Sequence, residues 1–125
     1  MILASGRQKP AVANEGLMAT MKRLGVLLAS GPDEGDFPLV DAIVRAALAA
    51  GAEAAVFLMD AGVAYARDPR LRALCDAGLE ATVCASDALA AGLTEPELQS
   101  AGVRLGSQRD HGRLLRRSDR FLAFT

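Results

Sequence analysis

A chain of 125 residues that is 51% hydrophobic and 23% charged, with a formal net charge of -1, is sized and balanced for one folded domain rather than a disordered tail. Aromatic residues make up 4% and Trp is absent, which removes the stacking platform that single-stranded nucleic acid requires, so no direct nucleic-acid binding is expected. The longest apolar stretches, such as GVLLAS and AAVFLM, fall far below the roughly 20 residues that cross a bilayer, and no membrane association is expected.

The first stretch, MILASGRQKPAVANEG, has too short an apolar run and the wrong order of charge for a secretory signal, so the expected location is cytoplasmic. Two cysteines in that setting read as thiols, not as a disulfide framework. Residues 1–21 carry no sustained period and contain Gly6, Pro10, Asn14 and Gly16; they are read as a flexible arm or extension, and Met18 or Met21 would serve equally well as a start. The folded domain is expected over 22–125.

RLGVLLAS is continuously apolar and bounded by SGP, which predicts a strand buried on both faces over about 23–29. In DFPLVDAIVRAALAAG, Phe37, Val40, Val44, Ala47 and Leu48 recur at helical spacing, with Asp36 placed to cap the start and Gly51 to end it. AEAAVFLM predicts the second strand. DPRLRALCDAG predicts a short helix with Asp68 as cap, Pro69 at its first position and Gly78 at its stop. LEATVC is the third strand, followed by a short helix over 85–91. Thr94 and Glu97 have capping-box spacing in TEPELQSAG. A small strand in VRLGS, a helix near 108–117 and a last strand in DRFLAF complete a βαβαβαβαβ order. Short apolar strands alternating with helices predict an α/β fold: one three-layer domain with a five-stranded, mainly parallel sheet flanked by helices.

In such sheets ligands and chemistry gather outside the carboxyl ends of the strands. The exits here are SGPDEGD, MDAGVAYARD, CASDALAAG and GSQRDHG. Ser30, Gly31, Asp60, Gly62 and Ser86 are the candidate pocket residues at these exits. The first exit has two glycines before a helix, but Asp33, Glu34 and Asp36 oppose a phosphate, and neither P-loop nor GxGxxG spacing is present; a turn with a helix cap accounts for it. An Asp-Ala-Gly turn is equally ordinary at the second exit. His111 is the only histidine, and with no Cys or His at ligand spacing a zinc site is not expected; it reads as a helix-surface residue. Arg109, Arg113 and Arg117 repeat every four residues and make one side of the last helix basic, either a solvated face or a docking face for an acidic partner.

Geometry separates the two cysteines. Cys75 shares helical spacing with Leu71 and Leu74 and belongs on the stripe that packs against the sheet, a structural role. The strand from there to Cys84 travels some 15 to 20 Å at about 3.3 Å per residue, so a disulfide between the two is not expected. Cys84 stands at a strand exit and at the threshold of a helix, where unpaired N–H groups favour thiolate. Free Cys is also among the most buried residue types, so a reactive and a merely packed Cys84 both remain open.

Taken together, LLASGPDEGD, the Gly62-Val63 pair, GLEATVCASDALAAGL and GRLLRRSDRFLAF resemble the DsrE/DsrF-like family, which includes DsrE/TusD-type sulfur-transfer proteins; the likeness covers about residues 22–125. The resemblance implies a five-stranded parallel sheet between helices. It also implies that the residue matching Cys84 receives sulfur as a persulfide and passes it on, with no metal or organic cofactor. The partners so implied are sulfur-donor and sulfur-acceptor proteins and further copies of the chain, in a trimer or hexamer. The family pattern often has basic residues before the glycine matching Gly92, where this chain has Ala90 and Ala91. A non-catalytic oligomeric binding module of the same fold and a thiol redox sensor are the alternative functions.

Overall fold

Five parallel strands form where the apolar runs predict them. The computed structural model describes residues 2–3 and 21–125. The strands are β2 (Arg23–Leu28), β3 (Glu53–Leu58), β4 (Glu80–Cys84), β5 (Val103–Gly106) and β6 (Arg120–Phe124), preceded by a two-residue strand β1 (Ile2–Leu3). Their order across the sheet is β1-β6-β2-β3-β4-β5; β1 lies antiparallel on β6, and all other pairs are parallel. The rest of the expected arm, apart from Met21, lies outside the described residues.

The helices are α1 (Phe37–Ala49), α2 (Pro69–Asp76), α3 (Ala85–Ala90), α4 (Glu95–Ala101) and α5 (Gln108–Arg117). Alternation along the strands sends side chains to two cores. The larger joins Leu24, Val26, Leu28, Val56, Leu58 and Val83 of the sheet to Val40, Val44, Leu71, Leu74, Ala88 and Leu98 of α1 to α4. The smaller joins Leu27, Ala55, Phe57, Cys84, Phe121 and Ala123 to Leu114 of α5. Among the described residues, four helices therefore cover one face and α5 alone covers the other. Strand order dictates this division: β2 to β5 step across the sheet in sequence, whereas β6 returns to the far side of β2, and its connection must cross the opposite face. α5 packs on β2 and β3, and a helix about 10 to 12 Å across covers about two strands spaced about 4.8 Å apart, so among the described residues part of that face lies beyond α5.

The helix ends follow the sequence with informative exceptions. Asp68 caps α2 by accepting from Arg70 N, Pro69 opens the helix, and Thr94 and Glu97 close a capping box on α4. Gly51 follows α1 at φ +85°, a conformation that glycine adopts without steric cost. Asp36 occupies the capping position of α1 but makes no cap; its Oδ2 accepts the Ser30 hydroxyl at 2.9 Å. The second exit is not a simple turn. Asp60–Arg67 winds as a 3-10 segment that buries Val63, Tyr65 and Ala66, and Asp60 enters it at φ +49°. A second capping box, Ser107 with Asp110, starts α5 and was not read from the sequence.

Candidate functional site

Cys84 is the last residue of β4 and the N-terminal boundary of α3. Its even-numbered position puts it on the α5 side of the sheet with Thr82, and it is 5% exposed among Leu27, Phe57 and Met59. The Sγ atom lies 3.3 Å from the Ser86 hydroxyl, which can donate to the sulfur or accept from it. Cys84 makes no capping hydrogen bond to α3. The sulfur thus has one polar neighbour in a mostly apolar setting.

Across the parallel register, Cys84 pairs with Gly106. A Cβ on Gly106 would stand 2.4 Å from Thr82 Cγ2 and 2.6 Å from Asp110 Oδ2, so Asp110 roofs the glycine beside Cys84. That carboxylate is fixed by the Ser107 N–H at 2.8 Å, a bond that holds its pKa below the ordinary carboxylate range, with Arg104 and Arg113 acting in the same direction.

The other candidate residues occupy the neighbouring exits. Ser30 is 4% exposed, and its N–H donates to Phe124 O at 3.0 Å while its hydroxyl holds Asp36. Gly31 and Gly62 bring the first two exits together: a Cβ on Gly31 would meet Ala61 O at 3.5 Å, and one on Gly62 would lie 1.9 Å from Leu28 O. Asp60 ties the second exit to α3, its N–H donating to Asp87 Oδ2 at 2.8 Å. The contacts thus join Ser30, Gly31 and Gly62 at the end of β2, Asp60 to α3, and Ser86 to Cys84.

His111 is a correction to the surface reading. Its ring stacks on Phe57 at 5.3 Å and on Phe121 at 6.0 Å, and burial lowers its pKa. The signal missed was spacing: His111 lies three residues before Leu114 on the inward side of α5. Cys75 is half-buried against the larger core, as its spacing predicts, and both cysteines are free. Burial, then Asp76, pushes the Cys75 thiol pKa up. The Arg67 guanidinium donates to Gly92 O at 3.3 Å and pairs with Glu97, so a cation reaches Gly92 although positions 90 and 91 carry none. Among the described residues no cluster of His, Cys, Asp or Glu could hold a metal ion, and no helix is long and apolar enough to cross a membrane.

Comparison with known proteins follows the same outline. No curated protein matches the chain. A conserved protein of unknown function from Bacteroides thetaiotaomicron superposes with a TM-score of 0.67 at 13% identity, over 93% of this chain and 100% of that one. A protein of unknown function from Methanobacterium thermoautotrophicum superposes at 0.64 with 18% identity, over 82% and 99% of the two chains. Both likenesses concern the fold. The family model of the DsrE/DsrF-like family matches residues 22–124, nearly the whole chain, and the protein belongs to that family.

Proposed function

We propose that this protein is a single-cysteine sulfur carrier, a sulfurtransferase that accepts a sulfane sulfur on Cys84 and hands it to a partner protein. The observation that carries the reading is the Cys84 Sγ at the carboxyl end of β4, 3.3 Å from the Ser86 hydroxyl. In the first step Cys84 thiolate attacks the outer sulfur of a donor persulfide, R–S–SH. One S–S bond forms as the donor's S–S bond breaks, R–S⁻ leaves, and Cys84–S–SH remains. In the second step an acceptor thiolate attacks that outer sulfur and Cys84 departs as thiolate. Both steps are exchanges, so neither an external oxidant nor a cofactor is consumed.

Ser86 is placed to donate a hydrogen bond to the anionic sulfur, and the turns bearing Ser30, Gly31, Asp60 and Gly62 form the edge from which donor and acceptor approach. The 5% exposure of Cys84 means that partner docking has to open the site. Donor and acceptor proteins, self-association as a trimer or hexamer, and a cytoplasmic setting belong to the same proposal. The burial of Cys84 in an apolar cluster favours one competing reading, a binding module in which the thiol is only packed.

Intact-mass measurement after treatment with a persulfide donor distinguishes the two. Wild type and Cys75→Ser are expected to gain one sulfur and Cys84→Ser none. Equal sulfur uptake by Cys84→Ser would sink the carrier reading. Oxidation of Cys84 by peroxide without uptake from persulfide would replace it with a sensor.

A further inference from the structure

The open part of the α5 face contains a cavity of about 310 Å³ that the sulfur-carrier reading does not use. Its floor is the sheet, with Ala55, Phe57 and Thr82, and one wall is α5, with Leu114. Four guanidinium groups line it from three separate elements: Arg23 of β2, Arg104 of β5, and Arg113 and Arg117 of α5. Against these four cations stand two lining carboxylates, Glu80 and Asp110.

The pairing inside the cavity is incomplete. Arg23 spans Glu53 and Glu80 with its terminal nitrogens, yet its buried Nε has no hydrogen-bond partner among the described residues. Among the described residues Arg104 donates only to the Thr82 hydroxyl, at 3.3 Å. Arg113 approaches Asp110 no closer than 3.7 Å, and Arg117 makes no ion pair among the described residues. The four guanidinium groups outnumber the two lining carboxylates, and an anion that enters the recess relieves the remaining repulsion. Guanidinium forks suit the tetrahedral oxygens of a phosphate, and the Thr82 hydroxyl adds a neutral partner. Ala55, Phe57 and Leu114 back the recess but are buried, so the surface that faces a ligand is mainly polar and cationic. A volume at the lower end of the usual ligand-pocket range, about 300 to 1,000 Å³, fits a compact molecule better than a polymer chain.

We infer that this cavity is a binding site for a small phosphate-bearing molecule, whose phosphate group is held by Arg104, Arg113 and Arg117. Cys84 does not line the cavity, although it lies two residues beyond Thr82 on the same strand and Phe57 and Asp110 border both.

Calorimetric titration with phenyl phosphate, inorganic phosphate and benzyl alcohol tests the inference on the full chain. Phenyl phosphate and inorganic phosphate are both expected to bind saturably, with benzyl alcohol, which lacks the phosphate, not binding. Arg113→Gln with Arg117→Gln should weaken phenyl phosphate by about tenfold or more, the scale of lost charge-assisted hydrogen bonds. Arg109→Gln with Arg116→Gln removes the same charge from α5 outside the cavity lining and should leave binding within about twofold, an effect of a few tenths of a kcal/mol. Cys84→Ser should bind as wild type does, which keeps the outcome independent of sulfur chemistry. Absence of saturable binding, or equal weakening in the two double variants, would overturn the inference, the second by showing general attraction to a basic helix. Saturable binding of an acidic peptide in place of phenyl phosphate would also overturn it and make the face a docking surface.

Discussion

Gly106 stands opposite Cys84 in the register of β4 and β5, and it has no room for a side chain. Thr82 Cγ2 and Asp110 Oδ2 occupy the space a methyl group would need, at 2.4 and 2.6 Å. Neither neighbour moves easily, because Thr82 is β-branched on a strand and Asp110 is held by Ser107 N–H. Gly106→Ala is therefore expected to destabilise the fold by about 1 to 3 kcal/mol through overpacking and a disturbed α5 cap. Adding Thr82→Ser, which removes the obstructing methyl, should recover part of the loss. Urea unfolding of the four proteins of this cycle measures it, and simple additivity would show that the contact is not the cause.

His111 stacks against Phe57 and Phe121, which couples stability to pH. Burial lowers its folded pKa below the unfolded value of about 6.5, so the folded state favours the neutral ring. The contribution is complete above pH 6.5 and is lost as pH falls through the folded value, because the unfolded chain then binds the proton more readily. His111→Phe retains an aromatic ring between its neighbours without a titrating group. Denaturant midpoints at pH 8 and pH 5.5 are expected to lie closer together in this variant than in wild type. An unchanged pH difference would mean that the loss arises from the carboxylates instead.

The sheet was legible because buried parallel strands are written as continuous apolar runs, and GVLLAS, AAVFLM and LEATVC stand out against their turns. Caps at Asp68 and Thr94 were legible because their partners lie within three residues. Asp36 misled for the complementary reason. Local spacing makes it a cap, whereas its bond to Ser30 depends on how the loop folds back. Gly62 reads in the sequence as a pocket residue, and its position shows a packing demand, since the Leu28 carbonyl approaches where a Cβ would be. The prominence of Cys84 at a strand exit followed from strand order, but its alignment with Gly106 and Asp110 required register between β4 and β5, which apolar runs do not encode. The cavity was hidden for the same reason. Arg23, Arg104 and Arg113 converge only once β6 returns beside β2 and draws α5 across the sheet.

Asp68 combines an N-cap with an ion pair to Arg70, whose guanidinium lies 2.7 Å from Oδ2. The Arg70 side-chain hydrogen bond is the main cause that lowers the Asp68 pKa, with the Arg70 N–H adding to it against the effect of burial. Because the folded value is lowered, the stabilisation is present above the unfolded value of about 3.9 and is lost as pH falls through the folded one. Asp68→Ala should cost about 1 kcal/mol at pH 7 from the lost cap. Asp68→Asn keeps a capping oxygen and should cost less at pH 7, while reducing the decline of stability between pH 5 and pH 3. A decline as steep as that of wild type would assign the acid sensitivity to other carboxylates.

Cys75 and Cys84 are both free, and Cys75 is the more exposed of the two, so a general thiol reagent does not by itself distinguish them. Cys75 has its own signature, because burial and then Asp76 raise its pKa. Iodoacetamide reacts with thiolate, so in Cys84→Ser the alkylation rate of Cys75 should reach half its maximum above the free-cysteine value of about 8.5. Asp76→Asn should move that midpoint down without restoring the free value, because burial is the larger cause. The same raised pKa keeps the folded thiol neutral, so its contribution to stability is complete below about pH 8.5 and is lost as pH rises through the folded value. Mass mapping of the alkylated peptide across pH 7 to 10.5 measures the profile. A midpoint at or below that of free cysteine would show an activated Cys75 and contradict its packed, structural role.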